Sequence, residues 1–177
     1  MILRSILAVI AFLAVGSLSF FAAHQTRLTW FDAAAAIEAA AKYDAKIVRD
    51  RYGVPHISGQ RDADVAFGLA YAHAQDDFPT LQRAVLAARG RLANVDGIQA
   101  AQGDYLVHLL GIWNAIDERY ETDLSEPTRA LLDGYAAGVN LYAAQHRGDA
   151  LPEAVPVKGK DIVALFMLRL PFFYGLD

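Results

Sequence analysis

The stretch at residues 48–77, VRDRYGVPHISGQRDADVAFGLAYAHAQDD, constrains the fold most, because it joins a fixed bend to a helix face made of methyl groups. Gly53 permits a bend, and Pro55 biases Val54 away from helical geometry. Residues 46–56 therefore predict a strand or extended turn leading into Ile57, with Ile47 and Val48 in its extended part. Asp62 is expected to cap the helix that follows. In that helix Ala66, Ala70 and Ala74 fall four apart, while Phe67, Tyr71 and Phe78 supply bulk nearby. Small side chains in a row allow another element to pack closely along that face.

Composition supports a real core. Of 177 residues, 55% are apolar and 20% charged. The net charge of -4, with both signs interspersed, leaves no basic stripe for a phosphate backbone and argues against a nucleic-acid partner. Cysteine is absent, which excludes disulfide bracing, thiolate metal sites and a cysteine nucleophile.

At the N-terminus, Arg4 precedes an uncharged, mainly apolar run over residues 5–23, the pattern of a secretory leader or of a short membrane anchor. A helix needs about 20 such residues to cross a bilayer. Ser17 and Ser19 supply small residues for cleavage, whereas Phe20 and Phe21 suit a site after Ala22 or Ala23 less well. A cleaved leader gives a periplasmic or otherwise exported product. An uncleaved one leaves the main segment outside the cytoplasm, attached to the inner membrane. Residues 1–23 are read as leader or anchor, 24–43 as a helical lead-in and 44–177 as the main region.

Residues 33–41 are rich in Ala and lack Gly and Pro, so they favour helix. Residues 84–104 combine a helical end with glycine breaks at Gly90, Gly97 and Gly103. A helix is expected within residues 104–119, with Leu106, Leu109, Leu110 and Trp113 on its apolar face. Ser125 and Pro127 mark the start of another, reaching about His146 and buried through Leu131, Tyr135, Val139 and Tyr142. Residues 148–158 read as a surface connection. Residues 161–170 predict a buried helix that Pro171 stops, with Phe172, Phe173 and Tyr174 left as an aromatic cluster in want of a packing partner. The fold class is mainly α with a short N-terminal β element.

Four segments, in order, resemble the N-terminal part of the penicillin acylase family of N-terminal-nucleophile hydrolases, which includes acyl-homoserine lactone acylases. They are Arg49-Asp50, Tyr52-Gly53-Val54-Pro55-His56-Ile57, Phe67-Gly68-Leu69-Ala70-Tyr71-Ala72-His73-Ala74-Gln75-Asp76 and Ala88-Arg89-Gly90-Arg91-Leu92. The likeness continues more loosely through Gly103-Asp104, Leu110-Gly111 and residues 132–140, and covers roughly residues 44–177. It implies the α-chain portion of a larger αββα hydrolase, made as a precursor that cleaves itself. It also implies that the N-terminal residue of the downstream β chain, commonly serine, is the nucleophile. A free amine activates that hydroxyl, donors stabilise the oxyanion, and an acyl-enzyme is hydrolysed. The expected partners are that β chain and a small N-acyl amide, an acyl-homoserine lactone ahead of a β-lactam side-chain amide.

No catalytic residue is assigned to this chain, because Ser58 and Ser125 are not new N-termini and read as turn or cap residues. Arg49, Asp50, Tyr52, Gly53, Pro55, His56, Gln75, Asp76, Arg89 and Gly90 are read as a structural motif of turn geometry and charged hydrogen bonds. His56 and His73 lack a compact ligand cluster, and adjacent Asp76 and Asp77 point differently on a helix. No metal ligand is assigned and no cofactor, although the resemblance allows calcium in the complete enzyme. Phe166, Met167, Arg169, Leu170, Phe172 and Phe173 occupy the region from which, by resemblance, α chains line the acyl pocket. Two other readings remain. One is a signal-anchored helical interaction domain whose terminal aromatic cluster binds another protein, and the other is an inactive truncated product.

Overall fold

The computed structural model describes Gly16, Ser17 and residues 31–175, with the side chain of Phe172 excepted. The chain divides into two units, Met1–Asp32 and Ala33–Asp177. The expected leader or anchor lies outside the described residues apart from Gly16 and Ser17. Among the described residues no helix is long and apolar enough to cross a membrane.

The second unit runs α1 (Ala33–Ala40), β1 (Ala45–Arg49), β2 (Pro55–Gly59), α2 (Asp62–Ala88), α3 (Ala93–Asp96), a 3-10 turn (Ile98–Ala100), α4 (Ala101–Leu109), α5 (Ile112–Asp123), α6 (Glu126–Gln145) and α7 (Gly159–Phe173). It is mainly helical, as expected, and the β element is an antiparallel hairpin with Ile47 opposite Ile57 and Arg49 opposite Pro55.

Helix α2 is the spine. Its N-cap is Arg61, and the capping carboxylate belongs to Asp64 rather than Asp62. Three residues into the helix, Asp64 can fold back to accept the Arg61 backbone N–H at 3.1 Å, which a carboxylate at the first position cannot do. The helix bends at Asp77, where φ is -155° and ψ 71°. Pro79 has no N–H for the preceding turn, so the Asp77 carboxylate accepts the Thr80 N–H at 3.1 Å and restarts the helix with proline in its first turn.

Ala66, Ala70 and Ala74 are buried, as their spacing predicts. Helix α6 meets this side of α2 with Gly134 and Gly138. A Cβ on Gly138 would overlap the Phe67 carbonyl oxygen and lie 2.9 Å from Ala70 Cβ, and one on Gly134 would overlap the Ala63 carbonyl oxygen. The two helices therefore cross backbone to backbone. Gly68 seats the hairpin in the same way, since a Cβ there would stand 2.8 Å from Ile57 Cγ2 and 3.0 Å from Ala45 Cβ. Helix α6 starts as expected, with Ser125 accepting the Thr128 N–H at 3.4 Å and Pro127 in the first turn. Val139 is fully buried, whereas Leu131 faces outward.

Several expectations need correction. Gly90 and Gly97 interrupt the helices, but Gly103 lies inside α4. The helix expected within residues 104–119 is two helices, broken where Gly111 takes a positive φ of 61°. That break turns the register, so Val107, Ile112, Ile116 and Tyr120 are buried while Leu109 and Leu110 are exposed. The segment at residues 148–158 is not a surface connection, because its own Ala154, Val155 and Val157 are buried. Pro171 does not stop α7, which continues to Phe173. Loss of one intrahelical bond does not end a helix already held at its N-terminus. Helix α7 is also only half buried, with Asp161 and Ala164 inside and Phe166 outside.

Gly138→Ala should lower stability by about 1–3 kcal/mol, because overlap with a backbone carbonyl outweighs the gain in helix propensity. Gly103→Ala, with open space around it, should be neutral or stabilising. Urea unfolding of the two variants checks the contrast.

Candidate functional site

The motif residues gather into two clamps, one at the bend of α2 and one past its C-terminal end. At the first, Arg49 leaves the end of β1 and spreads its guanidinium over the hairpin turn and the bend in α2. Nη1 donates to the Gly53 carbonyl at 2.8 Å, and Nη2 pairs with Asp76 Oδ1 at 2.8 Å. Nη2 also reaches the Ala72 carbonyl at 3.4 Å and Gln75 Oε1 at 3.3 Å. The turn itself is built by Asp50, whose Oδ1 accepts from Tyr52 N–H at 2.8 Å and Val54 N–H at 3.0 Å. These backbone donors hold the Asp50 carboxyl below its ordinary range, with a further contribution from His56. Gly53 takes the left-handed φ of 83° that lets the loop close. The Tyr52 ring is outside this network and exposed, with the Arg51 guanidinium 4.7 Å above it. Pro55 begins β2, and His56 Nε2 stands 3.5 Å from Asp50 Oδ2.

At the other clamp Arg89, just past the end of α2, forms a bidentate pair with Asp161 at 2.7 and 2.8 Å. Its remaining donors take the carbonyls of Glu153 at 2.7 Å and Pro156 at 2.8 Å. Asp161 is 2% exposed and also accepts the Lys158 backbone N–H at 2.8 Å, so it caps α7 as Asp64 caps α2. Gly90 turns the chain beneath this arginine with φ 63°. Adjacent amide side chains finish the work: Asn140 grips both backbone groups of Val157 at 2.7 and 2.8 Å, and Gln82 takes the Asp149 carbonyl and the Leu151 N–H. Asp76 and Asp77 point apart, one to Arg49 and one to Thr80. His73 bonds Tyr135 Oη at 2.9 Å.

The six residues expected along an acyl pocket divide by helix face. Met167, with Val163, lines an apolar groove of about 210 Å³ against Ala115, Ile116 and Leu124. Phe166, Leu170 and Phe173 lie on the outward side of α7, at 62%, 37% and 74% exposure, and Tyr174 adds to them. Arg169 is exposed, and the Phe172 side chain lies outside the described set. The sequence reading missed the α5 wall of the groove, although Ile112, Ile116 and Tyr120 carry helical spacing. Ser125 is an N-cap, and Ser58 lies in β2. Among the described residues no group of three or more His, Asp or Glu could hold a metal ion, so no residue here is assigned to calcium.

Residues 44–170 match the family described as penicillin amidase. The chain belongs to this family. Penicillin acylase 2 proenzyme of Pseudomonas sp. (strain SE83) is 35% identical over 107 residues, which is 60% of this chain and 13% of that protein. Acyl-homoserine lactone acylases of Pseudomonas fluorescens are also similar. QuiP is 32% identical over 66% of this chain and 14% of that protein, and PvdQ is 29% identical over 71% and 17%. The chain thus spans less than a fifth of these relatives. A thermostable penicillin G acylase structure from Alcaligenes faecalis aligns with a TM-score of 0.64 and 25% identity, covering 76% of this chain and 75% of that one. The family resemblance carried by the motif segments is therefore borne out.

Arg89→Ala should cost about 3–5 kcal/mol by leaving a buried carboxylate without its counter-ion, measured by urea unfolding. Asp64 gives a pH signature. Its carboxyl is lowered from 3.8 to about 2, first by the Arg61 guanidinium and then by the backbone N–H groups of Asp44 and Arg61. A depressed folded pKa stabilises above the unfolded value and is lost as pH falls, here between about pH 4 and 2. Asp64→Asn should flatten that part of the stability profile.

Proposed function

We propose that this chain is the α-chain portion of a self-processed hydrolase of N-acyl amides, with acyl-homoserine lactones as the favoured substrates. The observation that carries the reading is a pair of coverages. The chain spans 13% of a proenzyme in the same family, yet it and the aligned penicillin G acylase chain cover each other almost equally, at 76% and 75%. A precursor several times longer than a chain seen in a solved structure of a relative supports division of the precursor. On this reading a downstream segment supplies the αββα frame and, at its new N-terminus, the nucleophile. This chain then supplies support and part of the acyl-pocket wall. The hydrolysis itself is attack of the hydroxyl on the amide carbonyl, release of the amine, and hydrolysis of the acyl-enzyme by water.

Support for the wall comes from α7. Met167 and Val163 open an apolar groove of a size for part of an acyl chain, and Phe166, Leu170 and Phe173 offer an apolar face to whatever packs on it. The favoured substrate follows from the similarity to QuiP and PvdQ, and β-lactam side-chain amides follow from the similarity to the penicillin acylases. The apolar N-terminal run supports export.

The test is the intact mass and N-terminal sequence of the native product with any co-purifying chain. Two chains, the second beginning with serine, are expected. A stable lone chain without such a partner would overturn the reading in favour of a truncated or purely binding protein.

A further inference from the structure

Strands β1 and β2 are the only strands among the described residues, and their hydrogen-bonding pattern leaves one outer edge complete and unused. The Asp50 N–H donates to the Val54 carbonyl at 3.1 Å, which fixes the phase of the ladder. Bonded and non-bonded residue pairs alternate along an antiparallel pair of strands. Val48 with His56 and Lys46 with Ser58 therefore bond across the hairpin, while Ala45, Ile47 and Arg49 turn their N–H and C=O groups outward. Pro55 agrees with this phase, since it stands opposite Arg49 and has no N–H to give to the ladder.

The two outer edges of the hairpin are unequal. On β2 the outward positions are Pro55, Ile57 and Gly59, so that edge starts with a missing donor, a device that discourages further pairing. On β1 each of Ala45, Ile47 and Arg49 offers a donor and an acceptor in unbroken succession. These main-chain groups have no hydrogen-bond partner among the described residues, although the Arg49 guanidinium is engaged over α2. The side chains beside this edge are also incompletely covered. Ile47 packs over Gly68 yet is only partly buried, and Val48, on the face turned away from α2, is 49% exposed. A two-stranded hairpin is marginal in water, and an open edge of this kind is a template for another strand.

We propose that the outer edge of β1 takes an extended segment of the downstream chain as its next strand, main chain to main chain at Ala45, Ile47 and Arg49. The inference rests on the hydrolase reading, in which the downstream chain brings the sheets of the αββα frame. The length of chain outside this structure supports that occupant. This chain spans 13% of a proenzyme of its family, and beyond the hairpin its described residues contain no strand from which a sheet could be built. The chemistry of the segment follows from the edge. Its backbone supplies the bonds, and its alternate side chains fall beside Ile47 on the α2 face and Val48 on the other, so apolar residues suit both faces. A run rich in Val, Ile or Leu and free of proline meets these demands, whereas a helix cannot match donors and acceptors set at strand spacing.

Residue-resolved amide hydrogen exchange on the native product, together with its co-purified chain, tests the pairing. The Ile47 and Arg49 amides are expected to exchange about a hundredfold or more slower than open amides of the same sequence, as bonded strand amides do. Photo-cross-linking then locates the partner. With p-benzoylphenylalanine in place of the exposed Val48, capture of an apolar, extended segment of the downstream chain is expected. Free exchange at Ile47 and Arg49 in a product that does contain a second chain overturns this proposal and leaves the hydrolase reading standing. A product with no second chain overturns both. Capture by the chain's own residues before β1, by β1 of a second copy, or by nothing at all also overturns the proposal.

Discussion

The close crossing of α2 and α6 is the constraint on which the rest of this body hangs. Backbone-to-backbone approach at Gly134 and Gly138 leaves no room for side chains at that crossing, so contact there is made by main-chain atoms and the methyl group of Ala70. Such a joint has one register. A slide of one residue brings a Cβ against a carbonyl, and packing of this density does not yield gradually. With the two longest helices locked, the positions open to α7 and the hairpin follow from what lies along α2 and just past its end. Gly68 fixes the hairpin on one side of that helix, and Arg89 fixes the start of α7 past its end.

The irregular segments are held by side chains that stand in for regular structure. Arg49 satisfies carbonyls in the hairpin turn and in the helix bend, and Arg89 satisfies two more in the segment before α7. Asn140 and Gln82 each pair with backbone as a neighbouring strand would. Buried backbone polar groups must find partners, and Arg89, Asn140 and Gln82 let a segment without helix or strand enter the core. The same logic appears at both helix starts, where a buried aspartate three residues in accepts the N-cap N–H and is neutralised by an arginine. One arginine is local and the other comes from far along the chain.

Much of this was legible in the residues. The bend at Gly53 and Pro55, the alanine ladder of α2 and the Ser125 cap rest on local rules, and all three are present. The motif arginines were readable as hydrogen-bonding groups but not as to partner, since Asp161 lies on another helix with no spacing to announce it. Burial of residues 154–157 was hidden for the same reason: the partners that make it affordable, Gln82, Arg89 and Asn140, are scattered over two other helices. Leu109 and Leu110 misled because a break at Gly111 rotates the apolar stripe onto Ile112 and Ile116. On α7, hydrophobicity alone did not tell an inward face with Met167 from an outward one with Phe166.

The reach of Arg89 has a consequence for how the protein comes into being. Its partner Asp161 lies 72 positions later, and the carbonyls it holds lie 64 and 67 positions later. During synthesis at about 5–20 residues per second, the arginine waits several seconds for its counter-ion. Helices α2 and α6 can dock in that interval, and Gln82 and Asn140 can take up the intervening segment, but its arginine anchor is complete only when the start of α7 has been made. Closure of the body and display of the Phe166, Leu170 and Phe173 face are therefore successive events of one docking step. The apolar surface appears only once there is a finished platform to carry it.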